Sequence, residues 1–83
     1  MKVHEIFTKS EQKRMLYVGM LTSYDLMCSY SCKDELYITM RLNYAYSYAN
    51  EKCGHSTSSV WNRAYDYIMN LPIDEMLKVG GIR

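Results

Sequence analysis

The sequence has little of the two residues that most often interrupt helices, since it contains one proline and four glycines in 83 residues. It also has no apolar run long enough to cross a membrane. Its first residues, MKVHEIF, are too few and too polar for a secretory signal. These absences predict a cytoplasmic protein without a membrane partner.

The chain also lacks an excess of charge of either sign, because ten Lys and Arg nearly balance nine Asp and Glu and the formal net charge is only +1. A protein that mimics DNA would be strongly acidic, and one that binds nucleic acid without regard to sequence needs a basic surface. The near-neutral balance argues against both classes of protein.

Cysteine is present only three times, and an odd number cannot close a complete set of disulfides. We therefore expect reduced thiols, as is usual inside cells. Cys28, Cys32, Cys53 and His55 have the residue types of a zinc site. A continuous helix between Cys32 and Cys53 would hold those two thiols roughly 30 Å apart, at ~1.5 Å per residue. The sequence therefore predicts no metal site and no cofactor.

What the chain does have is an unusual supply of tyrosine and methionine, nine and seven residues respectively. Tyrosine combines an apolar ring with a polar tip and suits half-buried surfaces and interfaces. Methionine adapts to irregular contacts. These residues indicate either a contact surface or simply a small core built from them.

A chain of this length predicts one domain, residues 1–83, with residues 1–8 as an N-terminal arm.

The segment from Lys33 to Cys53 organises the rest of the chain, because it contains neither glycine nor proline. Its apolar residues recur at i, i+4, i+7 and i+11, which places them on a single helical face: Ile38, Leu42, Ala45 and Ala49. We predict one long central helix with this face in the core. Ser31 is the expected N-cap and Gly54 the expected C-terminal stop.

Helices are also predicted on both sides of this segment. Thr8 and Glu11 form a capping box, and the helix that follows is expected to run to about Ser29 with Gly19 inside it. A third helix is expected over about Ser58 to Asn70, with Trp61 anchoring the core. Pro72 is expected at the first position of a short fourth helix that ends at Gly80-Gly81. The predicted fold is all-α, a small antiparallel bundle of three main helices plus a short C-terminal helix.

Residues 49–63 resemble the helix-turn-helix of bacterial repressors, with a glycine in the turn, a serine two residues later and a hydrophobic residue six later. The resemblance implies that Ala49 and Cys53 face the core. It also implies that four residues face the DNA major groove: Thr57, Ser58, Asn62 and Arg63. A glycine-capped helix followed by a Ser/Thr-capped helix explains the same residues, so both interpretations remain open.

No sequence motif indicates catalysis. The chain has no G-x-S-x-G, no glycine-rich phosphate loop and no H-E-x-x-H. Cys53 and His55 lie two residues apart across a helix end, which does not normally bring two side chains together. We therefore predict a protein that is not an enzyme and has no catalytic residues.

Four tyrosines of the central segment are spread around more than one helical face, so a domain this small cannot bury them all: Tyr37, Tyr44, Tyr46 and Tyr48. We predict that they bind a partner, as exposed tyrosines commonly do. In size and composition the chain resembles the small host-takeover and anti-defence proteins of tailed bacteriophages, and also bacteriocin-immunity proteins. The resemblance implies occlusion of a site on a host protein or complex, or sequestration of a nucleotide by an oligomer. A DNA-binding regulator and a homo-oligomer are the other hypotheses.

Overall fold

The computed structural model describes residues 2–54 and 58–83, with only the backbone at Tyr24 and Met27. The described residues form six α-helices: α1 (Val3–Ile6), α2 (Lys9–Tyr17), α3 (Tyr24–Ser29), α4 (Lys33–Cys53), α5 (Ser59–Asn70) and α6 (Ile73–Val79). They contain no strand. The prediction of a small all-α bundle is confirmed.

The central helix has the predicted bounds, since α4 spans 21 residues from Lys33 to Cys53. Gly54 ends it with a φ of 69°, and its N–H donates to the carbonyl of Asn50. The helix begins one residue later than a Ser31 cap requires. Its N-cap is Cys32, whose side chain makes no capping hydrogen bond, so the prediction for Ser31 was wrong.

Helix α5 packs along α4 in the antiparallel direction. Trp61, near the start of α5, donates from its indole nitrogen to Oδ1 of Asn50, near the end of α4, at 2.9 Å. At the other end of the pair, the Arg41 guanidinium donates to the carbonyls of Ile68 and Leu71. Arg41 thereby supplies a side-chain donor at the end of α5, where the last carbonyls of a helix lack their full set of backbone partners.

The side of α4 that enters the core differs from the prediction. Ala45 and Ala49 are fully buried as expected, but Ile38 and Leu42 are exposed. A second apolar line with the same spacing is buried instead: Leu36, Met40 and Tyr44. Helical spacing allows both lines, and only the packing of the other helices selects between them.

The predicted single helix from Thr8 to Ser29 is in fact two helices, because α2 ends at Tyr17 and α3 begins at Tyr24. Gly19, predicted inside a helix, has a φ of 82°. The Gly19 N–H donates to the Leu16 carbonyl and the Met20 N–H to the Met15 carbonyl. This is the Schellman arrangement that ends helices at a glycine.

The end of α6 repeats this arrangement. Gly81 has a φ of 76°, its N–H donates to the Lys78 carbonyl, and the Ile82 N–H donates to the Leu77 carbonyl. The residue after each glycine, Met20 or Ile82, is buried in the core. Each turn therefore both ends a helix and directs an apolar side chain inward. At the other end of α6, Pro72 is the N-cap and not the first helical residue as predicted.

The core draws on all parts of the chain, and methionine supplies much of it. Four methionines are fully buried: Met15, Met20, Met40 and Met76. The N-terminal arm also contributes, since Val3 and Phe7 are buried and residues 3–6 form α1. The interpretation that methionine builds the core, and not the surface, holds for these four residues.

The two ends of the chain meet at α2. The predicted capping box is present, because the Glu11 N–H donates to Thr8 Oγ1 and the Thr8 N–H donates to Glu11 Oε1. Arg83 Nε lies 3.4 Å from Glu11 Oε2, and the Arg83 guanidinium lies 5.0 Å from the centre of the Phe7 ring. The hydrogen bond from the Thr8 backbone is the main cause that lowers the pKa of Glu11, and Arg83 adds to it.

We expect Gly19→Ala to destabilise the fold much more than Gly81→Ala. A Cβ on Gly19 would lie 2.3 Å from Ser47 Oγ and 2.8 Å from Ser47 Cβ, whereas nothing lies within 4 Å of a Cβ on Gly81. Both substitutions incur the backbone cost of a positive φ, about 1–3 kcal/mol. Urea denaturation measures the free energy of unfolding of both variants, and the difference between them reports the clash with Ser47. Equal losses of stability would contradict this packing.

We expect Glu11→Gln to lower stability at neutral pH and to matter less in acid. The folded pKa of Glu11 lies below its ordinary value of 4.5, so its stabilisation is present above that value. It is lost as the pH falls through the lowered folded pKa. Urea denaturation at pH 7 and pH 3 measures the difference. Glu35→Gln, an exposed carboxylate in the first turn of α4, controls for the loss of one negative charge.

Candidate interaction surface

An exposed apolar strip runs along a side of α4 that the core does not cover. Ile38, Leu42 and Tyr46 repeat every four residues, and their exposures are 60%, 44% and 58%. Residues at this spacing lie one above another on a helix. We call these three residues the α4 strip. Single exposed apolar residues are common, but a contiguous uncharged row is typical of a contact surface.

Two aromatic residues of α5 extend the strip. The Tyr46 ring meets the Trp61 ring edge to face, with centroids 5.5 Å apart and planes at 78°. Trp61 stacks on Tyr65, with centroids 5.3 Å apart and planes at 12°. These three rings, Tyr46, Trp61 and Tyr65, form what we call the aromatic group.

Local features of α5 hold Trp61 in place. Ser58 caps the helix, and its Oγ accepts from the Trp61 backbone N–H at 3.3 Å. The Trp61 indole N–H is paired with Asn50 on α4. Tyr65 follows one turn later, which places it beside Trp61. The aromatic group is therefore ordered without a partner.

Trp61 does not anchor the core as predicted. It is half-buried and lies outside the buried cluster, in which Met, Leu and Ile side chains are the most numerous. An indole N–H needs a hydrogen-bond partner when buried, and Trp61 finds one in Asn50 at the edge of the helix pair.

The four predicted contact tyrosines lie in different environments. Tyr46 is exposed and belongs to the α4 strip, whereas Tyr44 is 6% exposed and part of the core. Burial raises the pKa of Tyr44. Tyr37 and Tyr48 are half-buried against the core, and each has a lysine ammonium over its ring. Tyr44 therefore offers little of its surface to a partner, because most of its ring packs inside the bundle.

The sequence interpretation missed the other members of this surface. The sequence predicted that Ile38 and Leu42 face the core and that Trp61 anchors it. The available signal was the second line on α4, Leu36 and Met40, which has the same four-residue spacing and equal apolar character. Two competing apolar lines on one helix indicate that the core need not take both of them.

The structure describes three of the four residues predicted to bind DNA. Ser58, Asn62 and Arg63 are exposed on α5, while Thr57 and His55 lie outside the described residues. The two helices of a helix-turn-helix cross at about 90–120°. Here α4 and α5 remain in contact from the Asn50–Trp61 end to the Arg41–Leu71 end, which is the packing of an antiparallel helical hairpin.

The three cysteines are free thiols. Cys32 and Cys53 stand at opposite ends of α4, as the argument about a zinc site assumed. Within residues 2–54 and 58–83, no three His, Cys, Asp or Glu side chains group closely enough to hold a metal ion.

In the same ranges, no helix combines the length and apolar character that crossing a bilayer requires.

Comparison of the chain with protein-family models, with curated proteins and with solved structures finds no match. Arguments about function therefore depend on the geometry of this chain.

Replacing Tyr46 and Tyr44 by alanine should have opposite consequences. Tyr46→Ala removes an exposed ring and one edge contact worth about 0.5–1.5 kcal/mol. Tyr44→Ala leaves a cavity in the core, and a loss of about 3–5 kcal/mol is usual for such truncations. Thermal unfolding followed by circular dichroism compares them. A large loss for Tyr46→Ala would assign that residue to the core instead.

Proposed function

We propose that this chain is a small non-enzymatic binding protein that inhibits or redirects a macromolecular partner. The observation that carries the proposal is the α4 strip together with the aromatic group. Tryptophan and tyrosine are the residues most often responsible for binding energy at interfaces. Since the Trp61–Asn50 hydrogen bond already orders the rings, binding loses little further side-chain entropy.

The chemistry of the surface favours a protein partner. The side chains of the α4 strip are uncharged, and so are Trp61 and Tyr65. A narrow apolar row on a helix fits the groove of another protein or packs against an amphipathic helix. The resemblance in size and composition to bacteriophage anti-defence proteins is the basis for proposing a host protein or complex in the cytoplasm.

DNA recognition through Thr57, Ser58, Asn62 and Arg63 is the alternative function. Its support is the exposure of Ser58, Asn62 and Arg63 on one helix. The antiparallel packing of α4 and α5 and the near-neutral charge weigh against it. An oligomer, including one that sequesters a nucleotide, is the third hypothesis and would use the α4 strip between copies of the chain.

The test compares wild type with Leu42→Asp, which places a charge in the middle of the α4 strip. Leu42 is already 44% exposed, so the variant is expected to fold. Ser10→Asp adds the same charge at an exposed position on α2 and is the matched control. The immobilised proteins are exposed to a lysate of the native host, and captured proteins are identified by mass spectrometry. Each captured protein is then purified, and its affinity for wild type and for both variants is measured.

We expect wild type and Ser10→Asp to bind the same purified protein and Leu42→Asp to lose at least tenfold in affinity. Equal binding by Leu42→Asp would rule out the strip as the contact. A wild-type dimer that Leu42→Asp converts to a monomer in light scattering would assign the strip to self-association. Duplex binding that weakens steeply with salt and is lost in Arg63→Ala would favour the DNA alternative.

A further inference from the structure

A cleft of about 800 Å³ opens on a different face of α4 from the α4 strip. Three segments line it: the turn at Leu16–Gly19, the second half of α4 from Tyr44 to Lys52, and the end of α6 at Val79 and Gly80. Residues 44, 48 and 52 follow one another at four-residue spacing, and they are offset from the strip by about a third of a helical turn.

Two close approaches of the backbone hold the walls of the cleft in position. The Gly19 turn lies so near Ser47 that no side chain fits between them. At Gly80, a Cβ would lie 3.6 Å from Cζ of Tyr44 and 2.4 Å from Cε of the buried Met20. The phenol of Tyr44 is therefore packed against the end of α6, and the cleft has a rigid floor.

The lining is rich in aromatic rings. Tyr44 lies at the floor, and Tyr48 is half-buried beside it, with ring centroids 6.0 Å apart. Tyr17 stands at the edge and is 92% exposed. The faces of aromatic rings attract cations, and the carboxylate of Glu51 lies in the same cleft.

The chain already places a cation here. The Lys52 ammonium lies 5.6 Å from the centre of the Tyr48 ring. Lys52 is exposed at the end of α4, so its flexible stem can move into solvent. Glu51 then remains as the only formal charge among the lining residues. Burial is the main cause that raises the pKa of Tyr44, and the negative charge of Glu51 acts in the same direction.

We propose that this cleft binds an organic cation, the guanidinium or ammonium group of a partner's arginine or lysine side chain. The cation takes the place of Lys52 over the Tyr48 ring, and Glu51 is its counter-ion. Lys52 is therefore an internal competitor for the site. This surface is separate from the α4 strip, so the proposal does not rest on the proposed function.

The experiment titrates acetyl-Gly-Arg-Gly-amide into the full chain and follows amide and tyrosine ring signals by NMR. Acetyl-Gly-Gln-Gly-amide is the uncharged control, and inorganic phosphate tests for an anion site. Putrescine, a free diamine, distinguishes a small-molecule source of the cation from a peptide side chain.

The decisive variant is Lys52→Met, which removes the competitor and keeps an unbranched apolar stem. We expect it to bind the arginine peptide about two to five times more tightly than wild type, in line with the strength of an exposed cation–aromatic contact. We expect Glu51→Gln and Tyr17→Leu to bind more weakly. Tyr17 is almost fully exposed, so its replacement tests the site without disturbing the fold.

Three outcomes would overturn the proposal. The first is weaker binding of the arginine peptide by Lys52→Met than by wild type. The second is binding of phosphate by wild type that Lys52→Met abolishes. Either result would mean that Lys52 binds the ligand and does not compete with it. The third is the absence of arginine-specific shifts in both wild type and Lys52→Met. Tighter binding of putrescine than of the peptide would assign the cation to a small molecule. Leu42→Asp should leave all of these titrations unchanged, which separates this test from that of the α4 strip.

Discussion

The architecture depends on the enclosure of α4 from two sides at once. One side carries Leu36, Met40 and Tyr44 into the core, and α5 runs antiparallel along the helix. Ala45 and Ala49 are fully buried, and such small side chains permit close approach of a neighbouring helix. A chain of 83 residues has too few side chains to cover the remaining sides. The sides of α4 left open are therefore the places where binding chemistry can be displayed.

Helix ends complete this enclosure. The short helices α2 and α6 both stop at a glycine in the left-handed region and then place Met20 or Ile82 in the core. At the end of α5, Arg41 of α4 bonds the terminal carbonyls. The same turns that supply core side chains also shape the cleft, because Gly19 and Gly80 form part of its walls.

The two proposed contact surfaces differ in chemistry and use different faces of α4. The α4 strip and the aromatic group are uncharged and suit an apolar partner surface. The cleft combines tyrosine rings with one carboxylate and suits a cation. A partner that wraps around α4 could use both surfaces, whereas a flat partner would use one. Because both are anchored on the same rigid helix, their separation is constant.

Much of the fold was determined by local sequence. The absence of glycine and proline between Lys33 and Cys53 and the Thr8–Glu11 capping box are both local features, and the sequence alone located both correctly. Gly19 was misplaced, because a glycine in a helical pattern is compatible with both an interior position and a Schellman end. The contacts of Met20 and of Ser47 decide between them.

Tertiary structure alone decided which side of α4 is exposed. The Ile38–Leu42 line and the Leu36–Met40 line have equal spacing and similar apolar character, so no local rule separates them. The same holds for Trp61, whose position depends on Asn50, eleven residues away on another helix. Burial is a property of the whole packing arrangement, since a side chain enters the core only where other elements are present to cover it. For this reason the sequence by itself determined where α4, α5 and α6 lie, while the break between α2 and α3 and the side of α4 left exposed emerged only from the assembly of the helices.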